Sequence, residues 1–319
     1  MPSVLDSIVI RIEHGQKKAS VPAIAVIGDK YSTSLPDPNT RFTSIINDLQ
    51  AYTKGLFRRK DPSLVEPTGN AFNNCNGQWT EYVYSVYAWN KLADINSTQQ
   101  QDSEYCYVYV KLPSNRNDET SWISLLTTEH RSRVDNFAYD ETHPEVMAAG
   151  HKRYLLSSSN PDAVIVKVKQ SDLGVLPFDP RTPFNNISGQ TIENLTRVFS
   201  SLQGKVDPLT DIQCFISMKG SMRPDRRLQF LHEGNNVKSI LLFLIEAYRH
   251  NTRNAPYSMD NLKKKFYAVA FDKVSENDQL SMEAAFIGAI HTDKVIWAVD
   301  RLFETLRPAD VDGQIAQMI

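Results

Sequence analysis

Apolar positions along the chain recur at two spacings. Alternating or unbroken β-branched runs, which signal strands, mark Tyr105 to Leu112, Ala163 to Val168, Asp211 to Lys219 and Phe266 to Phe271. Helical spacing marks Phe42 to Phe57, Gly77 to Ala93, Ile187 to Leu202, Arg226 to Arg249 and Val295 to Leu306. In the first of these helices Ile45, Ile46, Leu49 and Tyr52 share a side; in the second Trp79, Val83, Val86 and Asn90 form the stripe, with Glu81 in the first turns. Two short apolar runs near the start, Ser7 to Ile12 and Pro22 to Ile27, read as strands or as a strand and a helix end, and Trp122 to Thr127 is a third. Arg58 to Asn76 is rich in Pro, Gly, Asn and Asp and reads as a loop, as does the polar stretch Asn96 to Ser103. Glu129 to His151 is polar, with a helix near Pro144 to Ala149. Strands and helices in this order predict an α/β fold with a mixed central sheet flanked by helices.

Composition narrows the class without deciding it. The chain has 319 residues, 41% hydrophobic and 23% charged, enough for a large core in one elaborated domain. Cys75, Cys106 and Cys214 stand alone, which excludes a disulfide framework or a paired-cysteine zinc site and fits a reducing cytoplasm. No stretch approaches the roughly 18 apolar residues of a membrane span, so the expectation is a soluble intracellular protein with no membrane partner. The formal charge is -2, but Lys219 to Lys238 carries five basic residues against two acidic ones. Phosphate affinity depends on such clustering rather than on the total.

That basic segment follows the strand Asp211 to Lys219. Alternation puts Ser217 and Lys219 on one face, Gly220 and Ser221 connect, and Pro224 suits the first turn of the next helix, where its missing N–H costs nothing. Glu233 falls about two turns into that helix. Upstream, Asn160 and Pro161 turn the chain into the strand Ala163 to Val168, with Asp162 at its start. Phosphodiester hydrolysis needs a divalent cation on carboxylate oxygens, a nearby positive charge and a positioned water. Taken singly, a Pro-Asp pair is usually a turn, a strand-end lysine is solvated and a helical glutamate faces water. Their combination and spacing carry the argument.

Asp162, then Ser217-x-Lys219, then Glu233 fourteen residues past the lysine resembles the permuted PD-(D/E)xK nuclease signature, in which the carboxylate missing at Ser217 is supplied by the helix. The restriction endonucleases that cut at CCGG, such as SgrAI and NgoMIV, carry this form. Arg223-Pro224-Asp225-Arg226 is similar to the base-reading Arg-x-Asp-Arg of that family. An arginine fork bonds guanine O6 and N7, and a carboxylate accepts from the cytosine amino group. Glu81 with Trp89-Asn90, and Trp122-Ile123-Ser124-Leu125-Leu126, match further family segments, so the resemblance spans roughly residues 77–238 in patches.

The resemblance implies a restriction-endonuclease-like core with family-specific insertions, at about residues 77–275, with 1–76 and 276–319 as accessory or dimerisation elements. It implies Asp162, Glu233 and Glu81 as metal-binding carboxylates, Lys219 as the cation at the scissile phosphate, and Ser217 in the remaining motif position. Arg223, Asp225 and Arg226 read G·C pairs. The implied activity is Mg2+-dependent cleavage of both strands of duplex DNA at a palindrome containing CCGG, with Mn2+ able to substitute. The products carry 5′ phosphates and four-base overhangs. The implied partners are double-stranded DNA, a second copy in a homodimer or tetramer, and a cognate DNA methyltransferase, in the cytoplasm of a bacterium. The alternatives are a same-fold nuclease reading an interrupted CC/GG site and a DNA-binding module that has lost catalysis.

Overall fold

The β-branched run at residues 163–168 is a strand buried on both faces, and the molecule is arranged around it. The computed structural model describes residues 3–99, 103–113, 122–138, 161–251, 259–263, 265–287 and 296–319. In chain order, a hairpin of β1 (Ile10–Glu13) and β2 (Gln16–Ala19) precedes α1 (Ala23–Lys30), α2 (Phe42–Lys60) and α3 (Gly69–Thr98). Next come β3 (Tyr105–Lys111), a 3-10 turn at Trp122–Leu125, α4 (Thr128–Ala138), β4 (Ala163–Lys169) and α5 (Gly189–Leu202). Then follow β5 (Ile212–Lys219), α6 (Pro224–Asn251), β6 (Phe266–Ala270) and α7 (Glu276–Glu283). The short pair β7 (Phe286–Ile287) and β8 (Ile296–Trp297), β9 (Arg301–Glu304) and α8 (Asp310–Met318) close the chain.

Five strands form one sheet in the order β3-β4-β5-β6-β9. The first two pairings are antiparallel and the last two parallel, so the sheet is mixed, as the pattern predicted. α3 packs on β3 and α8, and α6 packs on β5 and β6. The side chain of Asn96 fastens α3 to the sheet, accepting from Tyr107 N at 2.8 Å and donating to Tyr107 O at 2.8 Å. β9 pairs with β6, so the C-terminal segment supplies an edge of the sheet.

Two predicted elements are different in the structure. Residues 69–76 are helical, not loop, and α3 also runs through Thr98. Phe72, Cys75 and Trp79 extend the buried stripe of α3 toward its N-terminus, and that burial overrides the poor helix propensity of the surrounding Asn and Gly. Glu81 therefore lies about three turns into the helix rather than at its start. The helix expected over Val295 to Leu306 is instead β8, a turn and β9, and the C-terminal helix begins at Asp310. Ala298, Val299, Leu302 and Phe303 are all buried, and a strand apolar on both faces has no period to distinguish it from a buried helix. The helix expected near Pro144 to Ala149 lies outside the described residues.

Candidate active site

Sheet register brings the ends of β3, β4 and β5 to one place. Asp162, just before β4, donates its N–H to Ile216 O at 2.9 Å and accepts from Leu112 N at 3.0 Å. Its backbone is thus clamped between the neighbouring strands, and its Oδ2 accepts from Met218 N at 2.5 Å. Lys219 ends β5 with its Nζ 3.1 Å from Glu233 Oε1 and 3.8 Å from Asp162 Oδ2. Glu233 reaches this point because α6 begins at Pro224 and turns its third turn toward the sheet. Ser217, fully buried, donates its hydroxyl hydrogen to Glu233 Oε2. The motif position that lacks a carboxylate therefore holds the helix-borne one.

Burial pushes the Glu233 carboxyl above the usual range, and Asp162 adds to this, against the lowering effect of Lys219 and of the Ser217 hydrogen bond. Burial alone would lower Lys219, but Asp162, Glu233 and Glu81 outweigh it and hold the ammonium above its ordinary value. Lys219 is therefore a fixed positive charge between two carboxylates.

Glu81 lines the same cleft from α3, with an arrangement of its own. Its Oε2 accepts from Lys111 Nζ at 2.9 Å, and that ammonium also lies 5.1 Å from the centre of the Tyr82 ring. Burial raises the Glu81 carboxyl; Lys111, also buried, is nonetheless held above its ordinary value by Glu81. Lys111 is the last residue of β3 and lies opposite Ala163, next to Asp162. Sequence reasoning missed it, although a lysine on the Tyr105, Tyr107, Tyr109 face of a strand was a signal that this end is not purely core.

Among the described residues, no three His, Cys, Asp or Glu side chains lie together as a ready-made metal cluster. Asp162 and Glu233 converge on Lys219, while Glu81 shares the cleft but pairs with Lys111. Two hard oxygen donors beside an open cleft fit Mg2+, which is usually bound through one or two carboxylates plus substrate phosphate and waters. The cleft encloses about 710 Å3. Its wall is also lined by the amides of Asn47 and Gln50 from α2, of Asn73 and Asn76 from the part of α3 that reads as loop in the sequence, and of Gln78 just beyond it.

With this geometry in view, the sequence profile of the Cfr10I/Bse634I restriction endonuclease family matches residues 6–319. The chain belongs to that family. It is a restriction endonuclease, a site-specific deoxyribonuclease. The match runs well beyond the patches at residues 77–238 and takes in both terminal segments. The type II restriction enzyme Cfr10I of Citrobacter freundii is 23% identical over 314 residues, 98% of this chain and 99% of that protein. The fold is that of the type IIF restriction endonuclease Bse634I solved with cognate DNA, with a TM-score of 0.77, 23% identity, and 98% and 97% of the two chains covered. A second structure of Bse634I gives a TM-score of 0.75 at 23% identity, covering 98% and 96%.

In this Cfr10I/Bse634I family member the basic segment lies at the N-terminus of α6, the helix that carries Glu233. Arg226 lines the cleft and donates to Gln229 Oε1 at 3.0 Å. Arg223 and Asp225 are exposed, 3.3 Å apart. Arg227 turns away and binds Asp278 at 2.5 Å, the residue that completes the capping box of α7 with Ser275. Of the four charged side chains, one thus anchors the helix and three remain open to solvent or cleft.

Proposed function

We propose that this restriction endonuclease is a type II enzyme that hydrolyses both strands of duplex DNA at a palindrome containing CCGG, leaving 5′ phosphates and four-base overhangs. The observation that carries the reading is the convergence of Asp162, Lys219 and Glu233 on one cleft whose rim bears Arg226. Asp162 and Glu233 are the carboxylates that would hold Mg2+, or Mn2+ in its place, and the ion they hold would supply Lewis-acid polarisation of a phosphoryl oxygen and a more acidic water. Lys219 stabilises the negative charge that develops on the phosphate and helps orient the attacking water. Ser217 fixes the Glu233 carboxylate, and Glu81 adds negative charge to the same cleft. Arg223, Asp225 and Arg226 read the edges of adjacent G·C pairs, where arginine suits guanine and a carboxylate suits the cytosine amino group.

A palindrome is matched by a two-fold protein, so the active species is at least a homodimer. A bacterial cytoplasm holding such an enzyme needs a methyltransferase that protects the same site. The test is digestion of a mixed-sequence plasmid, with sequencing of the ends. Discrete fragments ending in a CCGG-derived overhang are expected; a smear or ends without CCGG would sink the reading. Asp162→Ala is expected to abolish cutting while leaving a gel shift with a CCGG duplex, and surviving cleavage would mean that the metal site is misassigned.

A further inference from the structure

A second lysine is paired with one of the carboxylates that line the cleft, and the proposed chemistry has no use for it. Lys111 is buried at the end of β3, and its ammonium is bonded to Glu81 Oε2 at 2.9 Å. Glu81 is the third carboxylate of the cleft, yet it does not join Asp162 and Glu233 in a three-ligand group. Asp162 and Glu233 share Lys219; Glu81 has a cation to itself. Three carboxylates are set against the ammoniums of Lys219 and Lys111, with the guanidinium of Arg226 on the same cleft.

Resting on the metal-site reading above, we propose that Lys111 takes the place of a second divalent cation, holding Glu81 away from Asp162 and Glu233 so that the cleft binds one metal ion. The argument is electrostatic and steric. An ammonium fixed on Glu81 repels a divalent ion approaching that carboxylate and occupies one of its two oxygens. It is also fixed by the sheet, because the register of β3 on β4 sets Lys111 opposite Ala163, the neighbour of Asp162. The ammonium itself lies over the Tyr82 ring, a cation–π contact that helps to hold it in place. Without Lys111, Glu81 would lose its ion-pair partner, and a second divalent ion would find there both a freed ligand and a negative charge to attract it. Lys111 is in this sense a positioning residue that sets metal stoichiometry.

Titration of the intact protein with Mn2+, followed by the electron paramagnetic resonance of the free ion, reads the number bound. The wild type is expected to bind one Mn2+ per chain, lost in Asp162→Asn. Lys111→Met is expected to bind two, and Lys111→Arg, which keeps the charge, one. Two ions in the wild type, or one in a Lys111→Met protein whose near-ultraviolet circular dichroism is native, overturns the inference. If Lys111→Met does not fold, Lys111→Gln is read in the same way. A wild type that binds no Mn2+, or one whose ion survives Asp162→Asn, refutes the proposed metal site itself, which keeps the two failures distinct.

Discussion

Ser217 shows how one side chain couples sheet and helix chemistry. Its hydroxyl is the hydrogen-bond partner of Glu233 Oε2, in a position with no solvent to replace it. Burial already raises the Glu233 carboxyl, and this hydrogen bond is one of the effects that lower it. Ser217→Ala removes that lowering, so the carboxyl protonates at a higher pH. The acid limb of the kcat/KM profile for DNA cleavage at fixed Mg2+ is expected to move toward alkaline pH, with activity recovered above it. A limb that stays in place would mean that Glu233 does not need its charge. Arg226 gives a second prediction at this scale. Its side chain is partly exposed on the cleft, so Arg226→Ala leaves the fold intact and costs about 1 to 3 kcal/mol of discrimination at one base pair. Cleavage rates on CCGG and on duplexes altered at one base check it. The convergence of Asp162, Lys219 and Glu233 was legible in the sequence because the first two flank strand ends and the third follows the lysine at a fixed spacing along the next helix. The Glu81–Lys111 pair was not, since it joins a helix to a strand thirty residues on and depends on where α3 begins.

At the scale of elements, the position of α6 decides where Glu233 lies. Gly234, the next residue, faces the turn after β8: a Cβ there would come within 2.2 Å of Ala298 O, 2.9 Å of its carbonyl carbon and 3.1 Å of Phe266 Cδ1. One turn on, Lys238 donates to Trp297 O at 2.6 Å and to Asp300 Oδ2 at 2.5 Å. The helix is thus laid flush on the C-terminal segment and pinned there. Gly234→Ala forces α6 outward, because the obstacle is backbone. We expect a loss of about 3 kcal/mol in urea unfolding, and a higher Mg2+ requirement for half-maximal cleavage as Glu233 recedes from Asp162. Unchanged stability and Mg2+ dependence would show that the contact sets nothing. None of this was visible in the chain itself, where residues 295–306 carry a helical spacing of apolar residues. The strands that alternate or are purely β-branched were readable; β9 was not, because burial on both faces erases the period. The amide-rich start of α3 was hidden for the opposite reason, with propensity pointing to loop and tertiary burial deciding for helix.

For the whole molecule, the join between the C-terminal segment and the rest of the sheet runs through buried charge. Asp300 Oδ2 accepts from Lys265 N at 2.9 Å and Phe266 N at 2.8 Å as well as from Lys238, so one carboxylate ties α6, β6 and the approach to β9. The Lys265 side chain turns the other way, onto the carbonyl of Ile212. Burial lowers it from 10.5 to about 8. The unfolded chain keeps the ordinary value, so between pH 8 and 10.5 it binds more protons than the folded one, and stability rises with pH across that window. Below about pH 8 the folded state buries a charged ammonium and the full penalty is present. The span corresponds to about 3 kcal/mol at 1.36 kcal/mol per unit. Lys265→Met has no such proton to lose, and tyrosines and cysteines that titrate in the same range are common to both proteins. The unfolding free energy of wild type minus variant is therefore expected to climb by an amount of that order from pH 7.5 to 10.5. Urea unfolding of both across this range reads it directly: a flat difference would place the Lys265 ammonium in a solvated setting, and a falling one would mean that the Ile212 carbonyl holds it charged.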